Sequence, residues 1–395
     1  MGIPGPAFKR YQQCNVESQY LYAMNIGIVC YPTFGGSGVV ATELGIALAA
    51  KGHKVHFISY SHPVRLDMVT PNITYHEVRV SDYPLFDYQP YELVLSSKLV
   101  DVVKHANLDL LHVHYAIPHA SAAYMAKQIL ASKGKKIPFI TTLHGTDITL
   151  LGKDPSFEPV IRFAIDNSDA VTAVSQSLKE DTIRYFHTTR DISVIPNFIN
   201  MAHYAKAQGA CDRTEYAKSG ERILIHVSNF RKVKRVEDVL KIFDRVRKKM
   251  PAKLILVGDG PEKPVIEKLC RELDTCNDIY NVGKVVDPTK LMCIADLFLL
   301  TSETESFGLA ALEAMACSVP VISTNTGGIP EVNLHGKTGF MSEVGDVDGM
   351  AANALKLLGD KALYDSFRKA AYERACEFRT EKILPMYLDL YQKLI

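Results

Sequence analysis

Two carboxylates eight residues apart, Glu305 and Glu313, enclose the stretch SFGLAAL (306–312) where a buried apolar run gives way to a helix. A carboxylate accepts two hydroxyl hydrogen bonds at once, which matches the vicinal hydroxyls of a ribose or a hexose. Between the two, the backbone N–H groups near Phe307, Gly308 and Leu309 open the helix and favour a phosphate. One feature could therefore hold diphosphate, ribose and sugar together. Taken singly, Glu305 reads equally as a turn residue and Glu313 as a solvated helix face. Arg231, Lys232, Lys234 and Arg235 cluster just after RILIHVS (222–228). Cations at a strand end suit a diphosphate leaving group, although Lys232 and Arg235 also fit an ordinary solvated turn.

A second glycine-rich loop lies near the start of the chain. GGSG (35–38), containing Gly36 and Ser37, separates the strand-like NIGIVCY (25–31) from a helical pattern. With Ala41 it satisfies the dinucleotide fingerprint, which also requires an acidic residue about 20 positions on. The second strand ends ISYSH (58–62), without a carboxylate, and this weighs against a dehydrogenase using NAD. VGDGP (257–261), with Gly260, is another glycine turn at a strand end. Asp346 and Asp348 form a DxD, but Asp346 follows Gly345 at a helix start, so a helix cap accounts for it without a metal. His112 and His114 share a strand face near His119; strand-end histidines of this kind read as hydrogen-bonded core residues rather than zinc ligands. No metal is expected.

The elements that must position these residues alternate throughout. Strand candidates lie at 25–31, 54–59, 73–80, 110–114, 138–144, 170–174 and 192–196, with helical stretches near 38–51, 91–106, 118–132, 158–167 and 176–187. After MAHYAKAQGACDRTEYAKSG (201–220), read as a polar linker, the alternation restarts. Strands are expected at 222–228, 253–258, 278–283, 296–302 and 319–324. Helices are expected at 235–250, 262–273, 308–317, 347–358, 361–378 and 381–394. Such alternation predicts parallel sheets covered on both faces, hence an α/β fold of two doubly wound Rossmann-like domains, 24–200 and 201–380, with ligands in the cleft. Residues 381–395 are expected to form a C-terminal helix that packs back on the first domain, and residues 1–23, without periodicity, read as a leader or tag that is disordered. The 395 residues carry 45 basic and 44 acidic side chains and are 47% hydrophobic, a balance that gives no bulk electrostatic reason to bind nucleic acid or a membrane surface. No apolar run is long enough to span a bilayer. The eight cysteines include no CxxC; Cys270 and Cys276 read as reduced thiols, and the chain as cytoplasmic.

The E-x7-E at 305–313, SFGLAALEAMACSVPVISTNTGGIPE (306–331), VGDGP (257–261), HGTD (144–147) and GGSG together resemble the GT-B-fold retaining glycosyltransferases of family 4, from about residue 24 to the C-terminus. CYPTFGGSGVVATELG (30–45), HYAIPHA (114–120), LHGTDIT (143–149) and HVSNFRKVKRVEDV (226–239) resemble, more narrowly, the branch that glycosylates L-malate in bacillithiol biosynthesis. The resemblance implies UDP-N-acetylglucosamine as donor, L-malate as acceptor, retention of configuration and no cofactor. It places Glu313 on the uridine ribose and Glu305 at the donor sugar. The diphosphate falls to Gly36, Lys234 and the backbone of Phe307 to Leu309, and the base near Gly283 to Val285. His144 stands beside the reacting sugar. The family pattern has an arginine five residues before Lys234, where this chain has Asn229, so Asn229 or Arg231 serves the second phosphate. For a dicarboxylate acceptor the first domain offers Ser37, Tyr115, Thr141, Thr142 and Arg162, with Asn197 at the domain junction. Arg162 is the natural bidentate clamp, and reads equally as a surface residue on the 158–167 helix. Another acceptor, small or lipid-linked, and a nucleotide-sugar epimerase of the same fold are the alternatives; a homo-oligomer is compatible with either.

Overall fold

The computed structural model describes residues 22–395 apart from Phe34, Met68, 81–88, Leu151, Lys153, Gln208 and Ala210. The expected leader lies outside the described residues except for its last two positions. The first sheet is built from β1 (Asn25–Val29), β2 (Lys54–Ser59), β3 (Ile73–Glu77), β4 (Leu110–His114), β5 (Phe139–Leu143), β6 (Ala170–Ala173) and β7 (Ile192–Val194). All pairs are parallel, in the order 3-2-1-4-5-6-7. Its helices are α1 (Gly36–Ala50), α2 (Tyr91–His105), α3 (Ser121–Ala131), α4 (Glu158–Asp166) and α5 (Gln176–Phe186).

After α6 (Met201–Ala207) the second sheet uses β8 (Arg222–Val227), β9 (Ala252–Val257), β10 (Ile279–Gly283), β11 (Leu297–Leu300), β12 (Val321–Thr324) and β13 (Gly339–Ser342). Their order, β10-β9-β8-β11-β12-β13, repeats that of the first six strands of the first sheet, which carries β7 in addition at its edge. The helices are α7 (Val236–Arg247), α8 (Lys263–Glu272), α9 (Thr289–Cys293), α10 (Leu309–Ala316), α11 (Val347–Gly359), α12 (Lys361–Cys376) and α13 (Thr380–Gln392). In each sheet the strand order reverses beside the first strand, and there loops diverge to leave a crevice for ligands.

Covering both faces explains the sequence pattern. Every residue of β4 and β5 is buried, which is why these strands do not alternate apolar with polar. On α7, Val236, Val239, Leu240, Phe243 and Val246 fall on one stripe and are all at most 1% exposed. Burying side chains of this size stabilises the fold by roughly 1.5–3 kcal/mol each. The helix α13 sits on the first domain, with Tyr387 and Tyr391 in one apolar cluster with Ile26, Leu44 and Leu110. The chain crosses between domains near Ile199 and again near Phe378. The crossings are bonded to each other, Ile199 N donating to Phe378 O at 3.0 Å and Thr380 N to Ile199 O at 3.0 Å.

Three expectations are corrected. The segment read as a linker contains α6, because Tyr204 and Ala207, three apart, bury one face of a short helix. The apolar pattern predicts no strand where β13 lies, four residues starting with glycine and paired to β12. Cys270 and Cys276 form a disulfide: the end of α8 and the turn after it bring their Cα atoms to 5.3 Å, inside the bridging range.

Candidate active site

Two helix starts meet in the cleft. A Cβ on Gly36 would lie 3.3 Å from Leu309 Cδ2, so the first turns of α1 and α10 approach each other from opposite domains. Their N-cap residues, Gly35 and Gly308, offer no side-chain cap, and neither helix has an acidic residue in its first turn. The unpaired N–H groups and the positive ends of both helix dipoles therefore remain available to an anion. Phe307 contributes only backbone here, since its ring is buried edge-on against Phe378 at 5.6 Å.

Beside these helix ends Lys234 Nζ donates to Glu305 Oε2 at 2.6 Å, each side chain about one-fifth exposed. Glu303 N donates to Val233 O at 2.8 Å, and Thr301 Oγ1 to Lys234 O at 2.9 Å, tying the loop after β8 to the loop after β11. Glu305 is held from behind by Gly328 N, which donates to its carbonyl at 2.9 Å. Gly327, at φ 54°, leaves no room for a side chain against the same carbonyl. Asn229 and Arg231 are exposed on the loop after β8, and Arg231 is close enough to act electrostatically on Tyr115 of the first domain. Gly260 packs on the Phe230 backbone next to that loop.

From the first domain the loop after β5 reaches the same place. Gly145 has φ 111°, and a side chain there would collide with Ser306, the neighbour of Glu305. His144, just before it, has Nε2 2.7 Å from Nδ1 of the fully buried His114. His112 Nδ1 lies 2.6 Å from the Tyr391 hydroxyl and its Nε2 2.6 Å from Thr142 Oγ1, so both ring nitrogens are engaged inside the fold. Burial pushes His112 and His144 down to about 3 and His119 to about 4. Burial also lifts the Asp147 carboxyl to about 6, against the Ala116 amide that donates to it at 2.7 Å. Tyr115 donates to Ser37 Oγ at 2.6 Å, and burial raises its hydroxyl to about 12.

Glu313 lies deeper, 8% exposed, and one of its oxygens accepts from Tyr204 at 3.2 Å and lies 3.5 Å from the Arg65 guanidinium. Burial raises its carboxyl, and Arg65 opposes that shift. Val39, Glu43, Phe198 and His203 line the same narrow pocket. His203 forms an ion pair with Asp287 at 3.0 Å, and its hydrogen bond to that carboxylate raises its pKa. Sequence spacing does not single out Arg65, Tyr204 or His203 as site residues. The i, i+3 pair Tyr204 and Ala207 was a legible signal of α6; for Arg65 there was none, its partner being 248 residues away.

The structure does not gather all the expected acceptor residues. Thr141 and Thr142 are fully buried, with hydroxyls bonded to Ser168 at 2.7 Å and to His112 and Thr172 at 2.6 and 2.7 Å. They stabilise the sheet and its covering helix rather than face a ligand. Arg162 is exposed on α4 with Asp166 one turn away at 3.6 Å, and no described contact joins it to Ser37 or Tyr115. Asn197 is buried at the domain junction, its Oδ1 without a partner among the described residues. Val285 is half-buried just past β10. Asp346 is a helix cap, accepting from Gly349 N at 2.9 Å, and Asp348 pairs with Arg245.

Two parallel sheets that share the order 3-2-1-4-5-6, the first with a seventh strand at its edge, and a cleft into which loops and helix starts of both converge make up the two-domain GT-B architecture. The chain belongs to the family 4 glycosyltransferases: residues 34–203 match the model described as Glycosyltransferase Family 4, and residues 212–374 that described as Glycosyl transferases group 1. It is 50% identical to the N-acetyl-alpha-D-glucosaminyl L-malate synthase of Bacillus anthracis over 94% of this chain and 97% of that one. It is 25% identical to the 2-deoxystreptamine N-acetyl-D-glucosaminyltransferase of Niallia circulans, covering 90% of this chain and 97% of the relative. Its fold is similar to that of Anabaena Alr3699/HepE, solved with UDP and glucose, at TM-score 0.77 and 20% identity over 93% of this chain and 99% of the other. Among the described residues no helix is long and apolar enough to cross a membrane.

Proposed function

We propose that the protein transfers N-acetylglucosamine from UDP-N-acetylglucosamine to the hydroxyl of L-malate, with retention and without a metal ion, as the first step of bacillithiol biosynthesis in the cytoplasm. The observation that carries the reading is the 50% identity, over nearly the whole chain, with a relative described as an N-acetyl-alpha-D-glucosaminyl L-malate synthase. The cleft supports it physically. The diphosphate lies between the first turns of α1 and α10, with Lys234 as its fixed cation and Arg231 or Asn229 at the second phosphate. Glu313, oriented by Tyr204 and Arg65, accepts from the ribose hydroxyls, and the uracil lies toward Val285 and Gly260. Glu305 holds the hexose, while Ser37 and Tyr115 face the acceptor.

Glu305 is bound to Lys234 and Asp147 is buried beneath the loop after β5, so the reading assigns no protein nucleophile. The malate oxygen forms its bond to the anomeric carbon on the face from which the diphosphate departs. The breaking carbon–oxygen bond leaves its electron pair on the phosphate, which takes the hydroxyl proton. Lys234 and the helix starts stabilise the charge that builds there, an interaction strongest in the transition state. The test is UDP release from UDP-N-acetylglucosamine with malate, inositol phosphate, glucose or water. Malate should stimulate release well above every other addition; release no faster than with water refutes the acceptor.

A further inference from the structure

The stacked imidazoles behind the cleft record where protons reside. His114 Nδ1 is 2.7 Å from His144 Nε2, and His114 Nε2 is buried with no partner among the described residues. A hydrogen bond between two imidazoles needs one nitrogen to donate and the other to accept. Were His144 the donor, neutral His114 would carry its own proton on Nε2, as an N–H buried without an acceptor. With His114 as donor, Nε2 is a bare lone pair, and interiors tolerate an unused acceptor better than an orphaned N–H. His119 gives an internal precedent. Its Nδ1 lies 2.5 Å from the His114 carbonyl, which can only accept, so Nδ1 carries the proton and the buried Nε2 is bare. A cation is no alternative, because the rings of His112, His114 and His144 stack at 4.6 and 5.0 Å and no described carboxylate bonds to any of them.

We infer that His114 is a positioning residue that locks His144 in the Nδ1-protonated form, so that His144 meets the reacting sugars as a hydrogen-bond donor and never as a base. The His144 ring is only partly buried, and its Nδ1 has no partner among the described residues. Its lone-pair nitrogen is occupied by His114. The proton of the acceptor hydroxyl therefore goes to the oxygen of the departing diphosphate and not to this imidazole. The inference rests on the reading of the cleft as the site of sugar transfer.

Nitrogen NMR of the full-length protein labelled in histidine tests it directly, with His144→Asn identifying the signals. The expected spectrum has a protonated Nδ1 and a bare Nε2 on His144; a proton on Nε2, or on both nitrogens, overturns the inference. In kinetics, His114→Leu should lower kcat roughly tenfold or more, because a wrong tautomer disables a catalytic histidine, with KM for UDP-N-acetylglucosamine unchanged. His114→Asn, whose amide N–H replaces Nδ1–H, should restore most of that loss. Equal losses in both variants overturn the inference, and if the leucine variant is unfolded by circular dichroism, the NMR result and the asparagine variant decide. Failure of malate to stimulate the wild-type enzyme would instead refute the functional reading while leaving the tautomer measurement intact.

Discussion

The start of α5 and the starts of α1 and α10 all lie where the domains meet, yet they are used differently. At α5, Ser175 Oγ accepts from Leu178 N at 3.0 Å. The two oxygens of Glu331, from the second domain, accept from Gln176 N and Ser177 N at 2.9 Å each. A protein carboxylate already occupies the position a phosphate would take, and the helix dipole is spent on holding the domains together. At α1 and α10 no side chain caps the helix and no acid sits in the first turn. The contrast shows that a helix start is left open to an anion by what is withheld from it. Here the withheld groups are the Ser, Asp or Glu that otherwise satisfy such amides.

The contrast breaks most severely at the reacting sugar. Glu305→Ala should reduce kcat roughly 100-fold or more, since it removes a group that acts in the transition state, whereas Glu313→Ala should act mainly on KM. Steady-state kinetics of both variants decide, and equal kcat losses would refute the division of labour. A milder break is to cap α10 as α5 is capped. Ala310→Asp places a carboxylate in the first turn and should weaken UDP binding roughly tenfold by calorimetry while leaving the melting temperature unchanged or slightly raised. Unchanged affinity would show that the phosphates lie elsewhere.

The histidine stack beside these helix ends predicts an acid-sensitive fold. In the unfolded chain each imidazole takes up a proton near its usual 6.5, but burial holds His112, His119 and His144 at about 3 to 4 when folded. Between those values the unfolded state binds more protons, so stability falls as pH drops, by up to about 1.4 kcal/mol per pH unit for each histidine. Thermal melts between pH 7 and 5 should show a steady decline, and a flat profile would contradict neutral burial. At the capped end, Glu331→Gln keeps one acceptor but loses the charge and should cost about 1 kcal/mol. It should lower the melting temperature by a few degrees and spare UDP affinity. The smallest expected effect is that of EDTA, which should leave activity unchanged under the proposal that amides and Lys234 serve the phosphates. A tenfold loss reversed by Mg²⁺ or Mn²⁺ would overturn that assignment.

The architecture was legible because buried parallel strands print as short apolar runs between amphipathic helices. β13 was not, being so short that only its pairing with β12 defines it, and the one sign of α6 along the chain is the spacing of Tyr204 and Ala207. Within the site, the eight-residue spacing of Glu305 and Glu313 and the basic run at Lys234 could be read along the chain. Arg65 could not, because what gives it meaning is Glu313 in the other domain. Thr141 and Thr142 were misread for the opposite reason: β5 is covered on both faces, so the sequence gives no clue that neither hydroxyl is free.

The paired crossings at Ile199 and Phe378 have a mechanical consequence. One strap between two bodies allows both bending and twisting, but two straps bonded edge to edge resist shear between them and leave bending about a single line as the soft motion. Opening of the cleft is thereby reduced to one angle. Phe378 in the second strap rests edge-on against Phe307, one residue ahead of the N-cap of α10. The axle of the hinge thus touches the amide cluster assigned to the diphosphate, and a change in the angle is felt there without any intervening loop.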